Sequence, residues 1–299
     1  MIYNIVKSYA KLNFRLDILN KRYDGYHNIK SLFVPIDLHD ELNFEFNENG
    51  KIKIECPEFP ELTNDNNLIC KAIKLINEKL SLNIGANIKL NKNIPLGAGL
   101  GGGSSNCAIT IKKINEEFKL NLSNNELINL GALLGADVPF FIGCKPSIIT
   151  GIGDEIKKIE FLSKLKILLV KPNFSIDTKF AYTSLNLKLT KSNCDGSYTR
   201  FFRGISEFNY DSDRLLNSDI GTKLIKDFMS NDLEKAVINE YSQIKDLKSL
   251  LIENRAITSL MTGSGSVVFG IFRDETSLNK AFKNLKECNG LLLYKTSTF

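Results

Sequence analysis

A chain of 299 residues, 43% hydrophobic and 24% charged, has the composition of a globular protein with one large or two smaller domains, not of a disordered one. Its formal net charge of +5 comes from 39 basic and 34 acidic residues with no like-charge block and no basic stripe among aromatics, so no nucleic-acid partner is called for. Six cysteines stand far apart without CxxC spacing beside only two histidines, His27 and His39, which argues for reduced thiols and against a zinc site.

No signal-peptide pattern opens the chain, and no run of about 18 apolar residues could span a membrane. A cytoplasmic protein without a membrane partner is expected.

In chain order, β-branched and aromatic runs predict strands over Ile29–Ile36, Leu42–Phe46 and Lys51–Glu55, punctuated by Asp-Gly, Asn-Gly and Pro. Leu68, Ala72, Leu75, Ile76 and Leu80 lie at helical spacing and predict a helix over Asn67–Leu80. A strand at Ala86–Leu90 leads into a glycine-rich segment, followed by helices near Ser104–Phe118 and Asn124–Leu134. Ser123 with Glu126 forms a capping box for the second. A buried strand, Lys166–Val170, stops at Pro172. Thr190–Asp213 is polar and reads as irregular. Helices at Leu215–Met229 and Leu233–Asn254, a strand at Val267–Phe272, a helix near Ser277–Glu287 and a strand at Leu291–Thr296 complete an α+β chain with a boundary near 150–165.

The segment Pro95-Leu96-Gly97-Ala98-Gly99-Leu100-Gly101-Gly102-Gly103-Ser104-Ser105-Asn106 carries the most chemistry. Ordering five glycines within seven positions is entropically expensive and needs a reason. Between a strand and a helix, such a turn directs backbone N–H groups at an anion, and the helix N-terminus adds partial positive charge. Ser104 and Ser105 can cap the helix and offer hydroxyls to phosphate or magnesium. A purely structural loop would need fewer glycines. Gly97-x-Gly99-x-x-Gly102 matches a dinucleotide fingerprint, but the next element is a helix and the acidic residues Glu116 and Glu117 lie in the preceding one. A Walker A loop would need a lysine after the glycines, and none follows.

This segment, together with Ala10-Lys11-Leu12-Asn13 and Met261-Thr262-Gly263-Ser264-Gly265, resembles the three motifs of the GHMP kinase superfamily (galactose, homoserine, mevalonate and phosphomevalonate kinases) in their expected order. The resemblance implies a two-domain α+β fold. Residues 1–160 would form a nucleotide-binding βαβ domain of the kind also seen in ribosomal proteins, and residues 161–299 a ferredoxin-like, substrate-side domain. It implies ATP with Mg2+ as cofactors and no dedicated protein metal site.

Three stretches, Lys21–His27, Leu134–Phe141 and Gly99–Asn106, are similar to the branch of that superfamily that phosphorylates the 2-hydroxyl of a cytidine-diphosphate-linked methylerythritol, in the non-mevalonate route to isoprenoids. Asp137, in the otherwise uncharged run Leu133–Cys144, reads from sequence as a cap or a functional carboxylate, and Lys11 as an edge-strand or a functional cation. The resemblance assigns both to catalysis, Lys11 holding Asp137 ionised while Asp137 accepts the hydroxyl proton. Tyr26 and His27, after the turn at Asp24-Gly25, offer an aromatic face and a polar edge to cytosine. Asn13, Thr178, Tyr182, Gly263 and Gly265 are carried over as substrate-side residues, Tyr182 being equally a core candidate. Asn67 and Lys92 fall at family positions near the adenosine, where sequence alone makes both surface residues. The competing readings are a mevalonate- or homoserine-type kinase and a non-catalytic nucleic-acid-binding protein built on the same βαβ module. A monomer or weak homodimer is expected.

Overall fold

The computed structural model describes residues 5–185 and 194–299. Their contacts divide into two compact units, and these are discontinuous where the sequence suggests one cut at 160. The first comprises the chain up to Ala10, His39–Pro95 and Gly101–Lys145; the second comprises Lys11–Leu38, Leu96–Leu100 and Pro146–Phe299. The physical reason is two long strands, β1 (Val6–Lys21) and β2 (His27–Asn47), each of which begins in one unit and finishes in the other.

In the first unit, β3 (Ile52–Glu55) lies parallel to β4 (Gly85–Asn91), and β4 pairs antiparallel with the end of β2, from Glu41↔Asn91 to Asn47↔Gly85. β4 alternates buried Ala86, Ile88 and Leu90 with exposed Asn87, Lys89 and Asn91, the period-two pattern of a sheet covered on one face. Helices α1 (Leu68–Leu80), α2 (Gly102–Glu117), α3 (Asn124–Ala132) and α4 (Val138–Gly143) pack in the pairs α1–α2, α2–α4 and α3–α4. α1 buries Ile69, Ala72, Ile73 and Ile76 along one stripe. The capping box of α3 is present: Glu126 Oε2 accepts from Ser123 N at 2.7 Å, and Ser123 Oγ accepts from Glu126 N at 3.4 Å.

In the second unit, β5 (Ser147–Thr150) pairs antiparallel with Ser31–Phe33 of β2 and with β6 (Glu155–Lys158). A separate antiparallel sheet has the order β11-β7-β10-β9, from β7 (Lys166–Pro172), β9 (Thr258–Met261), β10 (Val268–Phe272) and β11 (Leu291–Ser297). Numbered by appearance these strands run 4-1-3-2, the ferredoxin-like order. β7 and β10 are buried along nearly their whole length. α10 (Gln243–Glu253) packs on β9 and β10, and α11 (Glu275–Lys286) on β7 and β11.

The intervening chain corrects several sequence expectations. α5 (Thr178–Thr183) follows β7. Residues 190–193 of the stretch expected to be irregular lie outside the described residues, and from Cys194 it is helical, as α6 (Cys194–Ser206) and α7 (Ser212–Leu216). The helix expected over Leu215–Met229 breaks into α7 and α8 (Asp219–Phe228), because Asp211 and Ser218 each accept main-chain N–H groups and start a helix. The next expected helix divides likewise: β8 (Ser230–Asn231) runs parallel to Arg15 and Leu16 of β1, α9 (Asp232–Val237) follows, and α10 starts afresh at Gln243. Among the described residues no helix is long and apolar enough to cross a membrane.

Candidate active site

Residues Leu96–Leu100 of the glycine-rich segment count with the second unit, and Gly101–Ser105 with the first. Gly97, Gly99 and Gly101 take φ values of 58°, 72° and 72°, in the left-handed region that side chains disfavour. Left-handed residues at alternate positions belong to the backbone nests that gather N–H groups around an anion. At Gly99 the space is also taken, since an added β-carbon would lie 2.3 Å from Thr262 O. The contact is reciprocal: a β-carbon on Gly263 would lie 3.2 Å from Gly99 O. Two of the glycine motifs therefore meet backbone to backbone.

β1 brings Lys11 and Asn13 to the same place, since residues i and i+2 share a face of a strand. Lys11 N donates to Leu100 O at 3.0 Å, and its ammonium donates to Asn13 Oδ1 at 2.7 Å while lying 4.6 Å from the centroid of the Phe33 ring. An edge-strand lysine would be solvated; Lys11 is buried. Asn13 N donates to Thr262 Oγ1 at 3.1 Å, and Asn13 Nδ2 donates to Ser31 Oγ at 2.9 Å. Thr178, the first residue of α5, joins the same turn through a 2.9 Å hydroxyl contact with Ser264. Gly265, at φ 91°, lies in the left-handed region, and a β-carbon there would have to displace Met261 Sδ and Ile176 Cδ1.

His27 and Tyr182 face each other, with ring centroids 5.3 Å apart and planes 32° off parallel. Tyr182 is half-buried, so it is not a core residue. Tyr26 is 62% exposed, at the end of a turn held by Asp24 Oδ1 accepting from Tyr26 N at 3.1 Å. Burial, and secondarily the charge of Lys21, lower the His27 pKa below its ordinary value and favour a neutral imidazole.

In the first unit, α2 starts at Gly102, two residues earlier than expected, with Gly101 as N-cap and no side-chain cap. The expected capping by Ser104 or Ser105 does not occur. The Ser105 hydroxyl is buried and accepts from Ser8 Oγ at 2.7 Å; Ser104 is half-exposed. One residue on, Asn106 Oδ1 is buried with no hydrogen-bond partner among the described residues.

Asn67 caps α1: its Oδ1 accepts from Ile69 N at 3.0 Å and its Nδ2 donates to Leu62 O at 2.7 Å. Lys92 is 6% exposed, so the surface expectation is corrected. Its ammonium donates to Asp40 Oδ1 and Oδ2 at 3.0 and 2.9 Å and also to Ile94 O. Burial lowers the Lys92 pKa, against the opposing pull of Asp40. A β-carbon on Gly102 would come 3.1 Å from this ammonium and 3.0 Å from Ile94 Cγ2, so the pair underlies the start of α2. Asp137 occupies the N-cap position of α4 and is half-buried, yet its carboxylate makes no capping hydrogen bond to that helix.

The family model of the GHMP kinases N terminal domain matches residues 67–144, and that of the GHMP kinases C terminal domain matches residues 218–290. A 4-diphosphocytidyl-2-C-methyl-D-erythritol kinase of Thermodesulfovibrio yellowstonii is 41% identical over 277 residues, covering 93% of this chain and 92% of the relative. One of the same name from Syntrophus aciditrophicus is 39% identical over 276 residues, 92% of each. The chain belongs to the GHMP kinases. A crystal structure of a 4-(cytidine 5'-diphospho)-2C-methyl-D-erythritol kinase, 24% identical, superposes with a TM-score of 0.80 over 99% of both chains, which shows the shared two-domain α+β fold.

As a GHMP kinase, the protein is an ATP-dependent phosphotransferase acting on a small molecule. Among the kinase's described residues no cluster of three or more His, Cys, Asp or Glu side chains could hold a metal ion. Sequence reasoning passed over Asp40 and Asn231 and gave Thr262 no role beyond its place in a motif, yet all three hold the kinase's candidate residues in place. Their signal is burial of a polar side chain, and burial is a tertiary property.

Proposed function

We propose that this kinase transfers the terminal phosphoryl group of ATP to the 2-hydroxyl of 4-diphosphocytidyl-2-C-methyl-D-erythritol, giving the 2-phosphate and ADP, in the non-mevalonate route to isoprenoid precursors. The observation that carries this reading is the pairing of His27 with Tyr182 beside exposed Tyr26. A neutral imidazole has one donor and one acceptor for a cytosine edge, and the aromatic faces stack on the base. Mevalonate and homoserine would leave these groups nothing to recognise. The names of the relatives support the same substrate.

In this reading the segment Pro95–Ser105 binds the triphosphate through the main-chain N–H groups of Leu96–Ser105, helped by the uncapped start of α2. Asn67 and Lys92 act on the adenosine side by positioning: one starts α1, and the other fixes the floor beneath Gly102. Asp137 takes the proton of the attacking hydroxyl, and Lys11, aligned by Asn13, stabilises the charge that develops on the acceptor and the transferring group. Mg2+, bound with ATP and reached by the half-exposed Ser104 hydroxyl, would neutralise charge on the phosphates. Thr178, Gly263 and Gly265 shape the substrate side of the glycine turn. A cytoplasmic monomer or weak homodimer, without nucleic-acid or membrane partners, is proposed with it. Cys56, Cys70, Cys107, Cys144 and Cys288 carry free thiols, as a reducing compartment would leave them.

Incubation with ATP, Mg2+ and the cytidylated sugar alcohol should give ADP and a new phosphomonoester, read by phosphorus NMR. Turnover of mevalonate or homoserine in its place would overturn the substrate assignment.

A further inference from the structure

β9 is an edge strand of the ferredoxin-like sheet, and main-chain groups along its outer side are met by two side chains. Glu234 Oε2 accepts from Met261 N at 2.7 Å. Asn231 Nδ2 donates to Met261 O and to Gly263 O, both at 2.8 Å. Asn231 is 2% exposed, and its Oδ1 accepts from Leu233 N at 3.0 Å, so every hydrogen-bonding atom of its amide is engaged. Its main chain pairs with Leu16 of β1, three residues beyond Asn13.

The two carbonyls held by Asn231 flank Thr262. Thr262 Oγ1 accepts from Asn13 N and donates to Asn13 Oδ1, while its carbonyl oxygen rests against Gly99. We propose that Asn231 is a positioning residue for phosphoryl transfer: by gripping the carbonyls on either side of Thr262 it fixes, at once, the turn against which the phosphate loop rests and the strand that aligns Lys11. This rests on the kinase reading of those motifs, and it adds a residue outside all three of them. Asn231 touches neither substrate in this scheme. Its effect passes through Thr262 to Gly99 on the nucleotide side and to Asn13 on the acceptor side.

Asn231 also caps α9, and the test separates that role from the grip. Asn231→Asp keeps the acceptor for Leu233 N but sets a carboxylate against two carbonyl oxygens. Asn231→Ser keeps a capping oxygen but is too short to reach Met261 and Gly263. Both variants should weaken binding of a non-hydrolysable ATP analogue, measured calorimetrically, and lower kcat, each by roughly tenfold or more, as expected when two buried hydrogen bonds are lost. The ratio of N231D to wild-type activity should rise as pH falls, because a protonated carboxyl regains one donor, while the N231S ratio stays flat. Wild-type-like binding and turnover in both variants would reduce Asn231 to a helix cap and overturn the proposal. Failure of both to fold would also overturn it, assigning the residue to the fold alone. The binding measurement needs no acceptor, so an error in the substrate assignment, seen as an inactive wild type, is told apart from an error here.

Discussion

The carbonyl oxygen of Thr262 occupies the space a β-carbon on Gly99 would need, 2.3 Å from that position. Gly99 also holds a φ of 72°, which costs a side chain about 1–2 kcal/mol before any clash. Gly99→Ala should therefore push the phosphate loop and the Thr262 turn apart. The expected outcome is a rise in KM for ATP of roughly tenfold or more, with a lower Tm. Gly103 is the internal comparison: a β-carbon there would meet only Leu68 Cδ1, at 3.9 Å, within a helix. Gly103→Ala should be as stable as the wild type or more so, by roughly 0.5–1 kcal/mol. Equal Tm losses in both variants would contradict the interlock.

Asp137 sits where a helix cap would, without capping. Asp137→Asn should leave ATP affinity intact. As the proposed general base, its loss should lower kcat by about a hundredfold or more. A variant with near-normal kcat would remove Asp137 from catalysis.

Tyr26 is exposed and supports no packing, so Tyr26→Ala tests recognition alone. Loss of one stacking face is worth about 1–3 kcal/mol, so KM for the cytidylated substrate should rise roughly tenfold while KM for ATP and Tm stay put. An unchanged KM would dissociate this turn from the base.

His27 adds a pH signature. Its folded-state pKa is lowered, so on acidification below 6.5 the unfolded chain takes up a proton before the folded one, and stability declines over that window instead of rising. The same protonation removes the acceptor nitrogen offered to cytosine. In wild type, kcat/KM for the cytidylated substrate should fall in a step below pH 6.5 that is missing in His27→Gln. Persistence of the step in the variant would move it to another group.

The motifs were legible because their chemistry is local: glycines between a strand and a helix, a Ser123–Glu126 box, an uncharged run broken by one carboxylate. The burial of β1 was not legible. Lys11, Asn13, Arg15 and Asp17 alternate with apolar residues as a half-solvated strand would, yet these four and Ser8 are all buried, paired with one another or with residues far along the chain. The long helices expected after Leu215 failed for the opposite reason. Their apolar spacing is right, but Ser218 competes locally for a main-chain N–H group and restarts the first, and the second ends at Val237 and starts afresh at Gln243 without a side-chain cap. Lys92 and Asp40, 52 positions apart, give no sequence sign of their pairing.

That pair yields a stability ordering. Asp40 is fully buried and accepts from Lys92, from Asn93 N at 2.9 Å and from Ile94 N at 2.8 Å. Asp40→Asn leaves the Lys92 ammonium buried without its counter-charge, a defect worth about 3–5 kcal/mol. Lys92→Met leaves the carboxylate with two main-chain donors and should cost less. In the double variant the uncompensated charge is gone, and an apolar chain of similar length lies under Gly102, so part of the Asp40→Asn loss should be recovered. Urea denaturation of the four proteins reads the order directly: D40N least stable, the double variant above it, wild type highest. If D40N proved as stable as wild type, the ammonium would have another counter-charge, and the support beneath the start of α2 would have to come from the apolar side chains of Ile94 and Leu68 alone.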